Sequence, residues 1–317
     1  MSLETLWQRY LHAGYAALQA EMPDDPLACF YLAILAFGAN DFARAAEWAA
    51  AASRRQPGSR VYAQAAIYLE RVACQGKAGV YVDGAAFGAF IRGGGNVGLY
   101  AAVSGALREV YGQYPFLRLL DIGVGDGLAL LPALTDAVRQ VDLVEPSSPL
   151  LETTCAALNA RGVPYRAFNQ TLQAFMDSPE ALAGSWDVIQ ATWSLQSLPP
   201  AEHPAVFRWL QAHGARLLIA EFDVPRFVAL ASPDHVRYVV ERYERGLAEY
   251  EGDGGLVAQG FLMPVMFGYF DRSAARTNWE GPIQDWVDGL RAAGFTQVER
   301  RPLYAYFWAE AFLLDAR

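Results

Sequence analysis

Lysine is nearly missing from these 317 residues: Lys77 stands alone among 25 basic groups, and the rest are arginines. Set against 34 carboxylates, they leave a formal charge of -9. That balance removes the electrostatic case for a nucleic-acid partner. Cysteine is scarce as well. Cys29, Cys74 and Cys155 are odd in number and far apart, which builds neither a disulfide framework nor a metal-ligand pair. No metal is expected, and a reducing cytoplasm suits the free thiols. Long apolar runs are absent too. The longest, Leu27 to Phe37, falls short of the ~20 residues that cross a bilayer, so no membrane association is expected. The first 20 residues show no basic segment leading into an apolar stretch, so no signal peptide is expected. The bias to Arg and Ala matches GC-rich bacterial codon usage and carries no chemistry.

Apolar side chains are plentiful, at 53%, enough for one large core and a smaller one. From Leu3 to about Gln75 they recur at helical spacing, broken at Pro23-Asp24-Asp25-Pro26, Gly38-Ala39-Asn40 and Pro57-Gly58. Four helices of roughly 12 to 18 residues fit. Within them, Leu32, Ala33, Ala36, Asn40-Asp41-Phe42, Ala45, Ala49, Ala52 and Pro57 resemble one tetratricopeptide repeat. An all-helical domain over 1–77 follows, with a lid or linker over 78–116. That linker holds Tyr81, Phe90, Arg92, the run Gly93-Gly94-Gly95, Asn96 and Tyr100. Three glycines in a row mark a hinge or a close backbone approach. Tyr81, Phe90, Arg92, Asn96 and Tyr100 are therefore candidate substrate or lid residues.

From Leu117 strand and helix patterns alternate: Leu117–Ile122, Gln140–Glu145, Val163–Phe168, Trp186–Thr192 and Arg216–Glu221, with an apolar helix from about Leu128 and another from Ser148. This spacing predicts an α/β domain over 117–317, a parallel sheet with helices on both faces and an insertion at 222–282. The segment Leu119-Leu120-Asp121-Ile122-Gly123-Val124-Gly125-Asp126-Gly127 runs from a buried strand straight into a glycine turn. Such a turn exposes backbone N–H groups to a ligand. A dinucleotide fingerprint needs a third glycine at 128, where Leu128 stands. Asp121 suits a ligand that presents an ammonium group instead. Glu145 follows Gly127 by 18 residues at the end of the second strand, where a carboxylate accepts both ribose hydroxyls.

Together these features resemble the class I S-adenosylmethionine-dependent methyltransferases, from about Leu117 to the end of the chain. The resemblance implies a Rossmann-like seven-stranded sheet whose last strand inserts antiparallel, with S-adenosylmethionine as cofactor and S-adenosylhomocysteine as product. It implies that Asp121, Gly123, Gly125 and Gly127 hold the amino-acid end, that Glu145 holds the ribose, and that Asn169 or Gln170 meets the adenine. Thr192 and Trp193, in Ala191-Thr192-Trp193-Ser194-Leu195-Gln196, would lie beside the sulfonium. Many relatives carry a histidine near the place of Gln196. Candidate bases therefore come from elsewhere: Glu221, Asp223 or His235.

The insertion contains Phe261-Leu262-Met263-Pro264-Val265-Met266-Phe267-Gly268-Tyr269-Phe270, more apolar than a solvated loop. A substrate cap through Phe267 and Phe270 is one reading; a cover for the sheet edge or a homodimer contact is the other. The expected acceptor is a small, partly apolar molecule, methylated on oxygen or carbon, in the manner of natural-product chemistry. The rival expectation is a methyltransferase-like binding or regulatory protein without activity.

Overall fold

The structure, a computed structural model, describes residues 1–77, 84–273 and 275–317. Packing divides the chain into two units, Met1–Val97 with Phe227–Ala275, and Gly98–Arg226 with Arg276–Arg317. This differs from the division expected at 77 and 116 with 222–282 counted to the sheet domain. Residues 227–275 belong with the N-terminal helices, and side chains explain why.

In the first unit the helices are Leu3–Ala13, Pro26–Gly38, Phe42–Arg55 and Arg60–Gln75; the second and third end at the expected breaks at Gly38 and Pro57, whereas the first stops at Gly14, well before Pro23. Each starts on a capping side chain: Ser2, Asp25, Asp41 and Ser59 accept backbone N–H groups that the first turn leaves unpaired. Pro26–Gly38 is buried all round from Ala28 to Phe37. A helix apolar on every face needs cover on every face. Ala45, Ala49 and Ala52 let Phe42–Arg55 approach one side. Phe267 covers another, its ring 5.0 Å from Phe37, 6.2 Å from Phe30 and stacked 5.4 Å from Tyr68. On the insertion helix Pro233–Ala248, Glu244 accepts from the backbone of Arg60 and Val61 at 2.7 and 3.0 Å. It thereby places a negative charge on the N-terminus of Arg60–Gln75. The lone lysine does similar work: Lys77 pairs with Asp271 at 2.9 Å and lies over the Phe37 ring.

The second unit carries one seven-stranded sheet. Its strands are β1 Leu117–Ile122, β2 Val138–Val144, β3 Tyr165–Phe168, β4 Val188–Thr192, β5 Leu217–Asp223, β6 Val298–Ala305 and β7 Glu310–Ala316. They lie in the order β3-β2-β1-β4-β5-β7-β6. The first five are parallel, and β7 enters antiparallel between β5 and β6. Alternate residues along β1 feed different cores, Leu120 and Ile122 one, Leu117 and Leu119 the other. The sheet is thus buried on both faces, as parallel strands require. The helix expected from Leu128 shrinks to Leu130–Ala133. Strand β2 begins at Val138, so the connection holds a single turn, and Pro132 inside it has no N–H to extend a ladder. Among the described residues no helix is long and apolar enough to cross a membrane.

Candidate functional site

The strand order reverses at β1, which has β2 on one side and β4 on the other. Ligands of such sheets bind beyond the carboxyl ends at this reversal. The candidate cofactor residues converge there. Asp121 sits near the end of β1, only 1% exposed. Its Oδ2 accepts from Gln190 Nε2 of β4 at 2.7 Å, while Oδ1 is buried with no partner. Gln190 is itself held by the Tyr111 hydroxyl, which donates to its Oε1. Burial pushes the Asp121 carboxyl up to about 7, with a further push from the Glu145 charge.

Directly after β1, Gly123 takes φ +70 and its N–H bonds the Val144 carbonyl at 2.7 Å. A Cβ there would lie 2.3 Å from the Cβ of Ser194. No other residue type fits. Ser194 in turn donates to the Ile122 carbonyl at 2.6 Å, so the ends of β1 and β4 are tied across the reversal. Gly125 and Gly127 complete the turn, also at positive φ. A Cβ on Gly125 would meet only open space, and this is the exposed crest of the turn. Glu145, 7% exposed, follows β2 and fixes the crest from the side: Oε2 accepts Gly125 N–H at 3.0 Å and Oε1 accepts Ser147 N–H at 2.9 Å. Each carboxylate oxygen keeps acceptor capacity beyond one such bond. Asn169, after β3, donates to the carbonyls of Glu145 and Pro146 at 2.9 and 3.1 Å. Gln170 is next, its N–H on the Phe168 carbonyl.

Thr192 ends β4, and Trp193 follows with φ +51. A tryptophan in left-handed backbone is strained by about 1–3 kcal/mol, and such strain gathers where side chains must be aimed. The Trp193 ring stands edge to face with Tyr100 at 5.4 Å and stacks on Phe222 at 5.7 Å, which stacks in turn on Tyr306. Its Nε1 is buried without a partner, as is Gln196 Oε1. Buried polar atoms normally find partners. Three orphaned atoms, from Asp121, Trp193 and Gln196, thus lie at two adjacent strand ends with hydrogen-bonding capacity unspent.

The candidate bases fare differently. Glu221, on β5, is 1% exposed and accepts Gln196 N–H at 3.3 Å. Burial, with Glu280 nearby, holds its carboxyl well above the usual range. Asp223 Oδ1 accepts Ile283 N–H at 2.8 Å and so caps the helix Ile283–Ala292. His235 belongs to the first unit, its ring stacked 4.4 Å from Phe227 and 5.2 Å from Phe270. The three candidates thus do not come together: Glu221 and Asp223 stand on β5, and His235 packs among rings of the first unit.

Of the candidate lid residues, Tyr100 alone lies in the second unit. Tyr81 lies outside the described residues. Phe90 packs 4.2 Å from Phe261 and Arg92 is exposed. Asn96 donates to the Phe90 carbonyl and the Tyr250 hydroxyl at 2.9 and 3.1 Å. Phe267 is fully buried, so its expected role as a substrate cap is corrected: that ring belongs to its own unit's core. Residues missed in the sequence include Gln190, Tyr111 and Ser194. Gln190 had a signal, a polar side chain inside the apolar run Val188-Ile189-Gln190-Ala191. Among the described residues no cluster of metal ligands occurs.

No protein-family model matches the chain, and no curated protein does. Solved structures do. One is magnesium protoporphyrin IX methyltransferase from Synechocystis PCC 6803 with bound SAH, at 17% identity and TM-score 0.46 over 70% of this chain and 83% of that one. Another is a mitomycin 7-O-methyltransferase, at 15% identity and TM-score 0.43 over 95% and 75%. A third is a candidate O-methyltransferase from Nostoc punctiforme PCC 73102, at 13% identity and TM-score 0.45 over 67% of this chain; the chain spans about half that protein's length, 55%. These are likenesses of fold. By its own strand order and its antiparallel β7, the chain has the Rossmann-like seven-stranded sheet expected of a class I methyltransferase.

Proposed function

We propose that the second unit binds S-adenosylmethionine and that the protein transfers its methyl group to a small, partly apolar acceptor, on oxygen or carbon. One observation carries the reading: the unpaired, buried Oδ1 of Asp121 beside the glycine turn. A buried carboxylate oxygen without a donor costs free energy until a donor, best a cation, reaches it. The ammonium of the cofactor's amino-acid end is such a donor. Asp121 and the turn 123–127 would hold that end, Glu145 the ribose hydroxyls, and Asn169 or Gln170 the adenine edge.

When bound, the cofactor supplies an electrophilic methyl group. The protein's residues supply alignment and exclusion of water, and such positioning is worth up to roughly 7–11 kcal/mol. Tyr100, Trp193, Phe222 and Tyr306 form a run of rings that suits an apolar or aromatic acceptor. Trp193 Nε1–H is a free donor that can orient an acceptor oxygen. Glu221 accepts the Gln196 N–H, and burial with the Glu280 charge raises its carboxyl above the usual range. Acceptors that ionise readily by themselves, phenols and enols above all, need no base from the protein and are the first to test.

Calorimetry with S-adenosylmethionine and S-adenosylhomocysteine tests the binding step, and mass spectrometry of a phenol and enol panel tests transfer, through a gain of one methylene mass. Saturable heat with a methylated product supports the proposal. No saturable heat at millimolar cofactor, with folded protein, removes it.

A further inference from the structure

We infer that the first unit holds a second small-molecule site, for a compact carboxylate with an aromatic body; this does not rest on the cofactor reading. A cavity of about 590 Å³ lies wholly within that unit, between Leu3–Ala13, Pro26–Gly38 and the insertion. This is the size range of small-ligand sites, roughly 300–1,000 Å³. Its walls include the rings of Trp7, Tyr10, Tyr15 and Phe270, with Trp7 and Tyr10 stacked at 5.9 Å. Among the described residues the one cation on the wall is Arg272, whose guanidinium lies 5.4 Å over the Tyr10 ring, and none of the lining residues is a carboxylate.

Acids on the neighbouring segments are already taken. Asp41 accepts the Tyr15 hydroxyl at 2.7 Å, Asp271 pairs with Lys77 at 2.9 Å, Glu21 pairs with Arg9 at 2.6 Å, and Glu4 pairs with Arg237. Arg272 has no acid partner among the described residues. A planar guanidinium above an aromatic floor matches a ligand with a carboxylate at one end and a flat apolar body. A further observation marks this wall. Ala231, on the cavity wall, takes φ +59, a conformation that costs a non-glycine residue free energy and gathers at ligand sites.

The intact protein is titrated by calorimetry with 2-naphthoate and with its neutral counterpart, 2-naphthamide. One saturable naphthoate site is expected, with the amide weaker by about tenfold or more, the worth of a charge-assisted pair. Arg272→Gln should weaken naphthoate by the same factor and Arg272→Lys by less, both leaving binding of S-adenosylhomocysteine unchanged. The site is overturned by any of four results: no saturable naphthoate heat at millimolar concentration, equal affinity for acid and amide, naphthoate binding unaltered in folded Arg272→Gln, or displacement of naphthoate by S-adenosylhomocysteine.

Discussion

Two of the chain's glycine-rich stretches, 93–95 in the first unit and 123–127 in the second, are filled in opposite ways. In Gly93-Gly94-Gly95 the space above the backbone belongs to the protein: a Cβ on Gly94 would lie 2.7 Å from the Tyr250 ring, and Gly95 N–H bonds Glu249 Oε2 at 2.7 Å. The Tyr250 hydroxyl donates to the carbonyls of Phe90 and Gly93 at 2.8 and 3.1 Å. In Gly123–Gly127 the crest above Gly125 is open, and the polar atoms around the turn include unpaired ones. Glycine therefore marks close approach in both places, and what distinguishes the second is polar capacity left unspent, which is why it is the proposed cofactor loop. Gly94, which carries φ +48, is where a hinge or lid was an open reading; its neighbours show a packed joint within one unit.

The sharpest test substitutes alanine at the tightest glycine of each stretch. Gly123→Ala meets Ser194 and a positive φ, Gly94→Ala meets Tyr250 and a positive φ. Both should destabilise by about 2–4 kcal/mol in thermal or denaturant unfolding. Only Gly123→Ala should also abolish calorimetric binding of S-adenosylhomocysteine to the folded fraction. Loss of binding in both variants would break the contrast.

Asp121→Asn probes unspent capacity without adding volume. The amide still accepts from Gln190, but it cannot hold a cation, so S-adenosylhomocysteine binding should fall by about 100-fold. Stability should move the other way at alkaline pH. The folded carboxyl is raised from 3.8 to about 7, so between these values the native state holds more protons than the unfolded chain. Wild-type stability contributed by this group is then present at pH 4 and lost as pH rises toward 7, by an amount on the order of 4 kcal/mol at most. Asp121→Asn should flatten that decline in unfolding curves taken from pH 5 to 8. An unchanged pH profile would remove the burial argument for Asp121.

The same ionisation predicts a smaller effect on the wild-type protein. A cationic ammonium binds the charged carboxylate, so affinity for S-adenosylhomocysteine should rise with pH toward 7, by no more than tenfold per pH unit, and level off above it. Titrations at pH 5.5, 6.5 and 7.5 read this directly. A flat profile would mean that Asp121 is not the group that meets the ammonium.

Much of the second unit was legible in advance because parallel strands buried on both faces leave continuous apolar runs, and β1 through β5 fall within a few residues of the expected ranges. That Asp121 and Glu145 stand at the ends of β1 and β2 was legible through their spacing from the turn. The partners that position Asp121 were not, since Tyr111 and Gln190 meet only when helix Gly94–Tyr111 and β4 are assembled. The insertion was misplaced for a similar reason. Its apolar pattern declares that Phe267 must be buried, but the rings that bury it come from positions 30, 37 and 68, and no local pattern names a partner so distant along the chain.

The smallest effect closes the comparison at the filled stretch. Glu249→Gln keeps an acceptor for Gly95 N–H and removes only a negative charge at the start of helix Gly94–Tyr111. Burial already holds that carboxyl above its usual value, and the side chain is exposed enough for solvent to screen it. The charge at a helix N-terminus is worth about 0.3–1 kcal/mol, and less where solvent screens it. Urea unfolding should therefore show a loss below 1 kcal/mol, with S-adenosylhomocysteine binding unmoved. A large loss would mean that Glu249 does more than close the first unit's glycine joint, and the contrast between a filled and an open glycine stretch would need redrawing.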